Sequence, residues 1–176
     1  MVAEGTGTFE PSFICDLMLF KLCRWMRIAG MDVLFPIGLD DDGLFALSIS
    51  TGRVLLTRDK DLSNRKGGKI IRLLSEDIDG QLVEICKAQP IICRRERPTR
   101  CPICNTMLLK MDRAVILSLP QVGQVPERVL KEHQSYFLCQ GCDKVYWNGS
   151  HWARIEKKLR TSGLWPDVAL ASETEK

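Results

Sequence analysis

Phe13-Ile14-Cys15-Asp16-Leu17-Met18-Leu19-Phe20-Lys21-Leu22-Cys23-Arg24-Trp25-Met26-Arg27-Ile28-Ala29-Gly30 is the stretch on which the fold turns. Its first three residues are an unbroken apolar run, the pattern of a short strand buried on both faces. Asp16 ends that run. From Leu17 to Ala29, Leu22, Trp25, Met26 and Ala29 recur at helical spacing, and Gly30 stands where a helix stops. A buried strand followed at once by a helix is the first half of a βαβ unit.

Working outward, the pattern repeats. Asp32 to Phe35 reads as a second strand, closed by Pro36 and Gly38. Asp40-Asp41-Asp42 precedes a periodic apolar stretch through Ile49, a helix with acids at its N-terminus, and Gly52 ends it. Val54-Leu55-Leu56-Thr57 is a third strand, Lys69 to Leu74 a fourth, and Asp79 to Ala88 a further helix. Strands alternating with helices predict an α/β fold with a parallel sheet flanked by helices and right-handed crossovers, over residues 12–90. Pro90 to Pro98 forms a boundary, and residues 91–100 are a basic linker carrying Arg94, Arg95, Arg97 and Arg100. Residues 101–160 hold two cysteine pairs and read as a small, β-rich unit. Residues 166–176 are polar and expected to be mobile.

The chain has 176 residues, 45% of them hydrophobic, and a net charge of +3. That suits one domain with a small appendage and excludes a disordered chain. No apolar run approaches the ~20 residues that cross a bilayer, so no membrane partner is expected. Met1 to Glu10 lacks the basic start of a secretory signal; it reads as a flexible leader, or equally as a cut from a longer protein. Eight cysteines without such a signal point to a reducing intracellular compartment, cytoplasm or nucleus, with an organelle still open. Charge is uneven: residues 1–90 sum to −2 and residues 91–176 to +5. An acidic half joined to a basic half hints at a polyanionic partner.

Cys101-Pro102-Ile103-Cys104 and Cys139-Gln140-Gly141-Cys142 are two C-x-x-C pairs. Each can form a tight turn with both thiolates facing one cation, and two such turns complete a four-sulfur tetrahedral shell for structural zinc. Gly141 supplies permissive backbone for its turn. The 34-residue spacer is long for such a site, so an insertion is expected around Leu119 to Glu132. The alternative is a pair of redox dithiols or two disulfides, but a thioredoxin-like pair follows a strand in a βαβ unit and neither of these does. His133 and His151 are not needed as ligands, and Cys15, Cys23, Cys86 and Cys93 read as buried or free thiols.

A second group is acidic. Asp16 ends the first strand, Asp59 and Asp61 follow the third, and Asp40 to Asp42 open a helix. In a parallel sheet these positions share the carboxyl edge, where such folds place their sites. Crowded carboxylates become tolerable when Mg²⁺ or Mn²⁺ lies between them, and metals held so can activate water against a phosphodiester. Taken singly, Asp41 is equally a helix cap, Asp61 a turn cap and Asp59 a solvated loop residue.

Phe13 to Leu19, Leu22 to Arg27, Gly30, Asp41, and Gly52 to Leu62 together resemble the Mut-seven C-terminal ribonuclease domain, a PIN-like nuclease branch fused to a zinc ribbon. Both cysteine pairs match its ribbon, and Val145-Tyr146-Trp147-Asn148-Gly149-Ser150-His151-Trp152 matches the segment that closes it. The resemblance implies a PIN-like α/β domain, metal-dependent cleavage of RNA, and an acidic quartet of Asp16, Asp41, Asp59 and Asp61 holding Mg²⁺ or Mn²⁺. The family usually has more acids after the second position, where this chain has Asp42-Gly43, and the Asp40-Asp41-Asp42 run leaves that assignment ambiguous by one residue. The alternative is a non-catalytic RNA-binding or adaptor module, with a protein partner or as one end of a larger exonuclease. Lys21, Arg24 and Arg27 recur every three residues near Asp16 and are candidate RNA contacts with Arg58, Arg94 and Arg95; an ordinary solvated face is the alternative. Lys157, Lys158 and Arg160 form another basic cluster. Trp147 and Trp152 can stack on bases or pack the ribbon against the main domain.

Overall fold

A computed structural model describes residues 11–89 and 99–165. Arg94 and Arg95, most of the 91–100 linker, the leader and the expected mobile tail lie outside the described residues.

In chain order, strand β1 (Phe13–Cys15) leads through a 3-10 turn (Leu17–Leu19) into helix α1 (Phe20–Ile28). Then come β2 (Val33–Leu34), α2 (Asp41–Thr51), β3 (Val54–Thr57), the short α3 (Lys60–Ser63), β4 (Ile70–Arg72) and α4 (Ile78–Ala88). The four strands pair in parallel in the order β2-β1-β3-β4. From β1 the chain steps to one side, to β2, then crosses back to β3. The crevice between β1 and β3 is therefore the topological switch point, where open α/β sheets place their sites.

Strand periodicity divides the core between the two faces. Phe13, Cys15, Val54 and Leu56 pack with α1 and α4 through Leu22, Met26, Leu82 and Ile85. Ile14 and Leu55 face the other way, against Leu44 of α2 and Leu62 of α3. All four residues of β3 are buried, which explains a continuous apolar run where alternation would mark a half-exposed strand.

The cysteine unit forms an antiparallel sheet, β5 (Leu108–Asp112), β6 (Ser135–Cys139) and β7 (Val145–Tyr146), in that order. Between β5 and β6 lie α5 (Arg113–Leu117), a 3-10 turn (Pro120–Gln124) and α6 (Glu127–Glu132). This is the expected insertion, begun six residues earlier than Leu119. Ile116, Val125, Tyr136 and Val145 form its own small core, and Trp147 packs there.

Helix α7 (Trp152–Thr161) returns to the α/β unit. Leu159, Leu164 and Trp165 are buried in the same cluster as Phe13 and Leu22. The Trp165 indole Nε1 donates to Ala29 O at 3.4 Å and its ring lies 5.8 Å from that of Trp152. Lys158 pairs with Asp79 and stands over the Trp25 ring. Residues 152–160, read from sequence as the end of a β-rich unit, thus lie on a helix that, with Leu164 and Trp165, completes the core of the first unit.

Candidate functional site

Two turns bring four sulfurs together. The Sγ atoms of Cys101, Cys104, Cys139 and Cys142 all lie within 4.8 Å of one another, with Cys101 and Cys142 at 3.6 Å and Cys104 and Cys139 at 3.3 Å. A tetrahedral Zn²⁺ with bonds of about 2.3 Å sets its sulfurs about 3.8 Å apart, so donor type, number and spacing fit zinc. The turns are built alike. Cys101 N donates to Thr106 O and Cys139 N to Lys144 O, both at 2.9 Å. The residue after each second cysteine, Asn105 or Asp143, takes a left-handed φ of 70° or 56°, which Asn and Asp tolerate best among residues with a side chain. Gly141 is needed for another reason than the backbone freedom expected from sequence. A Cβ there would lie 2.4 Å from Thr106 Oγ1.

The electrostatics agree with a cation. Burial first, then the neighbouring Cys139 and Cys101 sulfurs, push the Cys142 thiol up to about 12. Burial opposes the charge of Cys104, but hydrogen bonds with Thr106 and with the Cys139 and Cys101 sulfurs together hold that thiol down at about 6. Four crowded thiols cannot all ionise unless a divalent cation offsets their charge. The Tyr146 hydroxyl, 3.1 Å from Cys101 Sγ, and the Thr106 hydroxyl, 3.3 Å from Cys104 Sγ, orient the sulfurs.

The first turn is fastened to the edge of the parallel sheet. Phe13 N takes Asp32 O at 2.8 Å, which turns the polar groups of Val33 outward. Val33 N donates to Asn105 Oδ1 at 3.1 Å, and Val33 O accepts from Arg27 Nε at 2.9 Å. Arg27 Nη1 donates to Ile103 O at 2.6 Å and Pro102 O at 3.3 Å. Asn105 Nδ2 donates to Asp32 Oδ1 at 2.7 Å, and Arg53 and Arg100 flank the same carboxylate. Burial disfavours the Asp32 charge, yet Arg53, Asn105 and Arg100 hold its carboxyl below the usual range.

Arg27 is therefore not on an RNA-facing stripe; it is 4% exposed. Spacing by three drifts about 60° per step around a helix of 3.6 residues per turn. Lys21 and Arg24 face solvent, while Arg27 has rotated to the ribbon side. Arg58, another expected RNA contact, pairs with Glu76 at 3.0 Å.

At the carboxyl edge, Asp16 is buried and its Oδ2 accepts from Thr57 Oγ1 at 2.7 Å. Thr57 Oγ1 in turn accepts from Asp59 N at 2.9 Å. One hydroxyl thus ties the end of β1 to the loop after β3, across the switch point. Asp59 Oδ1 caps α3 by accepting from Leu62 N at 2.7 Å, and Asp61 is exposed in the first turn. Asp40, not Asp41, caps α2, accepting from Gly43 N at 2.9 Å. Asp42 pairs with Arg65 at 2.6 Å. Asp41 is exposed and its side chain has no polar partner among the described residues. The four sulfurs are the one group of three or more potential ligands that converges among the described residues; the aspartates share an edge without closing to that distance. Their donor chemistry still suits Mg²⁺ or Mn²⁺, because such ions keep several waters and need one or two carboxylates. Thr57 and Asn105 are the site residues that sequence reading missed. The left-handed position after each second cysteine was the available signal for Asn105.

A parallel α/β sheet with an acidic switch point, its edge strand fastened to a four-cysteine ribbon, defines the class of molecule. The Mut7-C RNAse domain model matches residues 11–159, and the chain belongs to that family. No curated protein and no solved structure matches the chain. Among the described residues, no helix is long and apolar enough to cross a membrane.

Proposed function

We propose that the chain is a PIN-like, metal-dependent ribonuclease that hydrolyses RNA phosphodiesters at the carboxyl edge of its sheet. The observation that carries this reading is the buried Asp16 carboxylate, held by Thr57 at the switch point between β1 and β3 in a chain of the Mut7-C RNAse family. Asp16 has one oxygen committed to Thr57, and the other would serve as a hard anionic donor. Asp59, Asp61 and Asp41 ring the same edge and complete the set. Bound Mg²⁺ or Mn²⁺ would supply charge stabilisation and a water acidic enough to attack phosphorus. Lys21 and Arg24, exposed on α1, are placed to meet backbone phosphates. The zinc centre, with no position left for water, scaffolds the edge strand beside this chemistry.

Asp16→Asn keeps the shape and removes the charge. It should abolish Mn²⁺-dependent cleavage of labelled RNA, a fall of at least ~10²-fold, without unfolding the chain. Full activity in the purified variant would sink the carboxylate assignment. One observation favours a second reading, a non-catalytic RNA-binding module: the aspartates do not close on one another as the sulfurs do. That reading expects salt-sensitive RNA binding unaltered by Asp16→Asn and no products with Mn²⁺.

A further inference from the structure

Among the acidic residues, Asp41 stands on an element of its own. Asp16 and Asp59 are joined through Thr57, and Asp59 and Asp61 belong to the short helix α3 as its cap and first turn. Asp41 opens the separate helix α2. Its place relative to the others therefore depends on how α2 is held against the segment around α3. Leu44 of α2 and Leu62 of α3 share an apolar cluster. Apolar burial is non-directional, so it brings the helices together without fixing the exposed first turn of α2.

Arg65, just past the end of α3, reaches that turn. Its Nη1 pairs with Asp42 Oδ1 at 2.6 Å and donates to Asp41 O at 3.4 Å. Its guanidinium carbon lies 5.5 Å from the Phe45 ring centroid. Gly68 closes on the same ring, since a Cβ there would stand 2.9 Å from Phe45 Cε2. The loop after α3 thus clasps the start of α2, in part by the backbone of Asp41 itself. The clasp also divides the labour of the acidic run. Asp40 caps α2 and Asp42 is taken by Arg65. Asp42 is 84% exposed, and an ion pair so open to water adds little stability. What the contact supplies is orientation. A planar guanidinium can serve a carboxylate, a carbonyl and a ring face together, which a lysine ammonium does not match.

We propose that Arg65 is a positioning residue for the carboxyl-edge metal site, holding Asp41 in place relative to Asp59 and Asp61 so that the two elements bind one Mg²⁺ or Mn²⁺ site. The proposal rests on the ribonuclease reading for the presence of that metal. Charge and position here have opposite signs. Arg65 is a cation beside a cation site, so by charge alone its loss, which also frees Asp42, tightens metal binding. By position its loss weakens binding, because a ligand loses the contacts that orient it.

The test is a Mn²⁺ titration of the whole, zinc-loaded chain without RNA, with free Mn²⁺ read by electron paramagnetic resonance. Arg65→Met should weaken Mn²⁺ binding on the order of 10-fold. The double variant Arg65→Met with Asp42→Asn should be weakened too, and Arg65→Lys, which keeps the charge and loses the fork, should fall between. Both side chains are partly exposed, so an unchanged thermal midpoint verifies the fold of each variant. Tighter binding by Arg65→Met, with the double variant back at the affinity of the unaltered chain, would make Arg65 a charge neutraliser and overturns the proposal. Unchanged Mn²⁺ binding with weaker RNA binding would make it a phosphate contact and overturns it as well. Mn²⁺ binding by the unaltered chain that is indifferent to Arg65 keeps the metal site and removes the positioning role alone. No Mn²⁺ binding by the unaltered chain removes the metal site and this proposal together.

Discussion

Replacing Thr57 by valine preserves its shape and deletes the hydroxyl that joins Asp16 to the Asp59 loop. Both groups it serves are buried or half-buried. The change leaves a carboxylate oxygen and a backbone N–H without that partner, at about 1–3 kcal/mol. Thr57→Val should lower stability by that amount in urea unfolding. It should also raise the Mn²⁺ concentration needed for half-maximal cleavage, because Asp16 loses its fixed orientation. Thr57→Ser, which restores the hydroxyl, should recover the metal midpoint. A merely structural role would lower stability without moving that midpoint.

At the scale of elements, the junction between β2 and the first cysteine turn concentrates the buried polar contacts. Arg27 reaches β2 with Nε and the turn with Nη1, a division that the fixed fork of a guanidinium allows and a lysine ammonium does not match. Zinc with four thiolates carries a net charge of −2, which the Arg27 cation beside Ile103 O partly offsets. Arg27→Met should cost about 2–4 kcal/mol, since three carbonyls lose a charged donor. Asn105→Ala should remove the Val33 and Asp32 contacts and place a less tolerant residue at φ 70°. Hydrogen exchange at Val33 N should accelerate in that variant, whereas the amides of β3, which lies two strands away, should stay protected.

For the whole molecule, the Arg27 and Asn105 contacts predict that metal occupancy of the four-cysteine site and the α/β core are linked. Removing zinc with a chelator should release the ribbon turns, expose the β2 edge and lower the thermal midpoint of the entire described fold, because binding energy at such a site is folding energy. A midpoint for the parallel sheet that ignores chelation would show the two units to be independent. The second link is α7. Trp165→Ala empties a fully buried site in the core of the α/β unit, where α7 joins it, and should cost about 3–5 kcal/mol. Circular dichroism melts read this directly, and loss should be shared by both sheets if they unfold together.

Much of this was legible in the linear chain. Phe13 to Cys15 and Val54 to Thr57 are apolar without interruption because a strand buried on both faces has no solvent side to mark. The two C-x-x-C pairs state their ligand geometry locally, so the four-sulfur site is written in four residues and their spacing. Asp16, Asp59 and the Asp40 to Asp42 run are placed at one edge by the parallel topology that the strand and helix alternation already implies. What the sequence could not decide depends on rotation and on long-range contact. Arg27 belongs to a stripe by spacing yet turns into the ribbon, because a helix advances 100° per residue. The capping role fell to Asp40 rather than Asp41, Thr57 became the tie between two aspartates, and α7 left the ribbon for the core. Each was settled by which partner surface lay within reach, and only the folded chain brings those surfaces together.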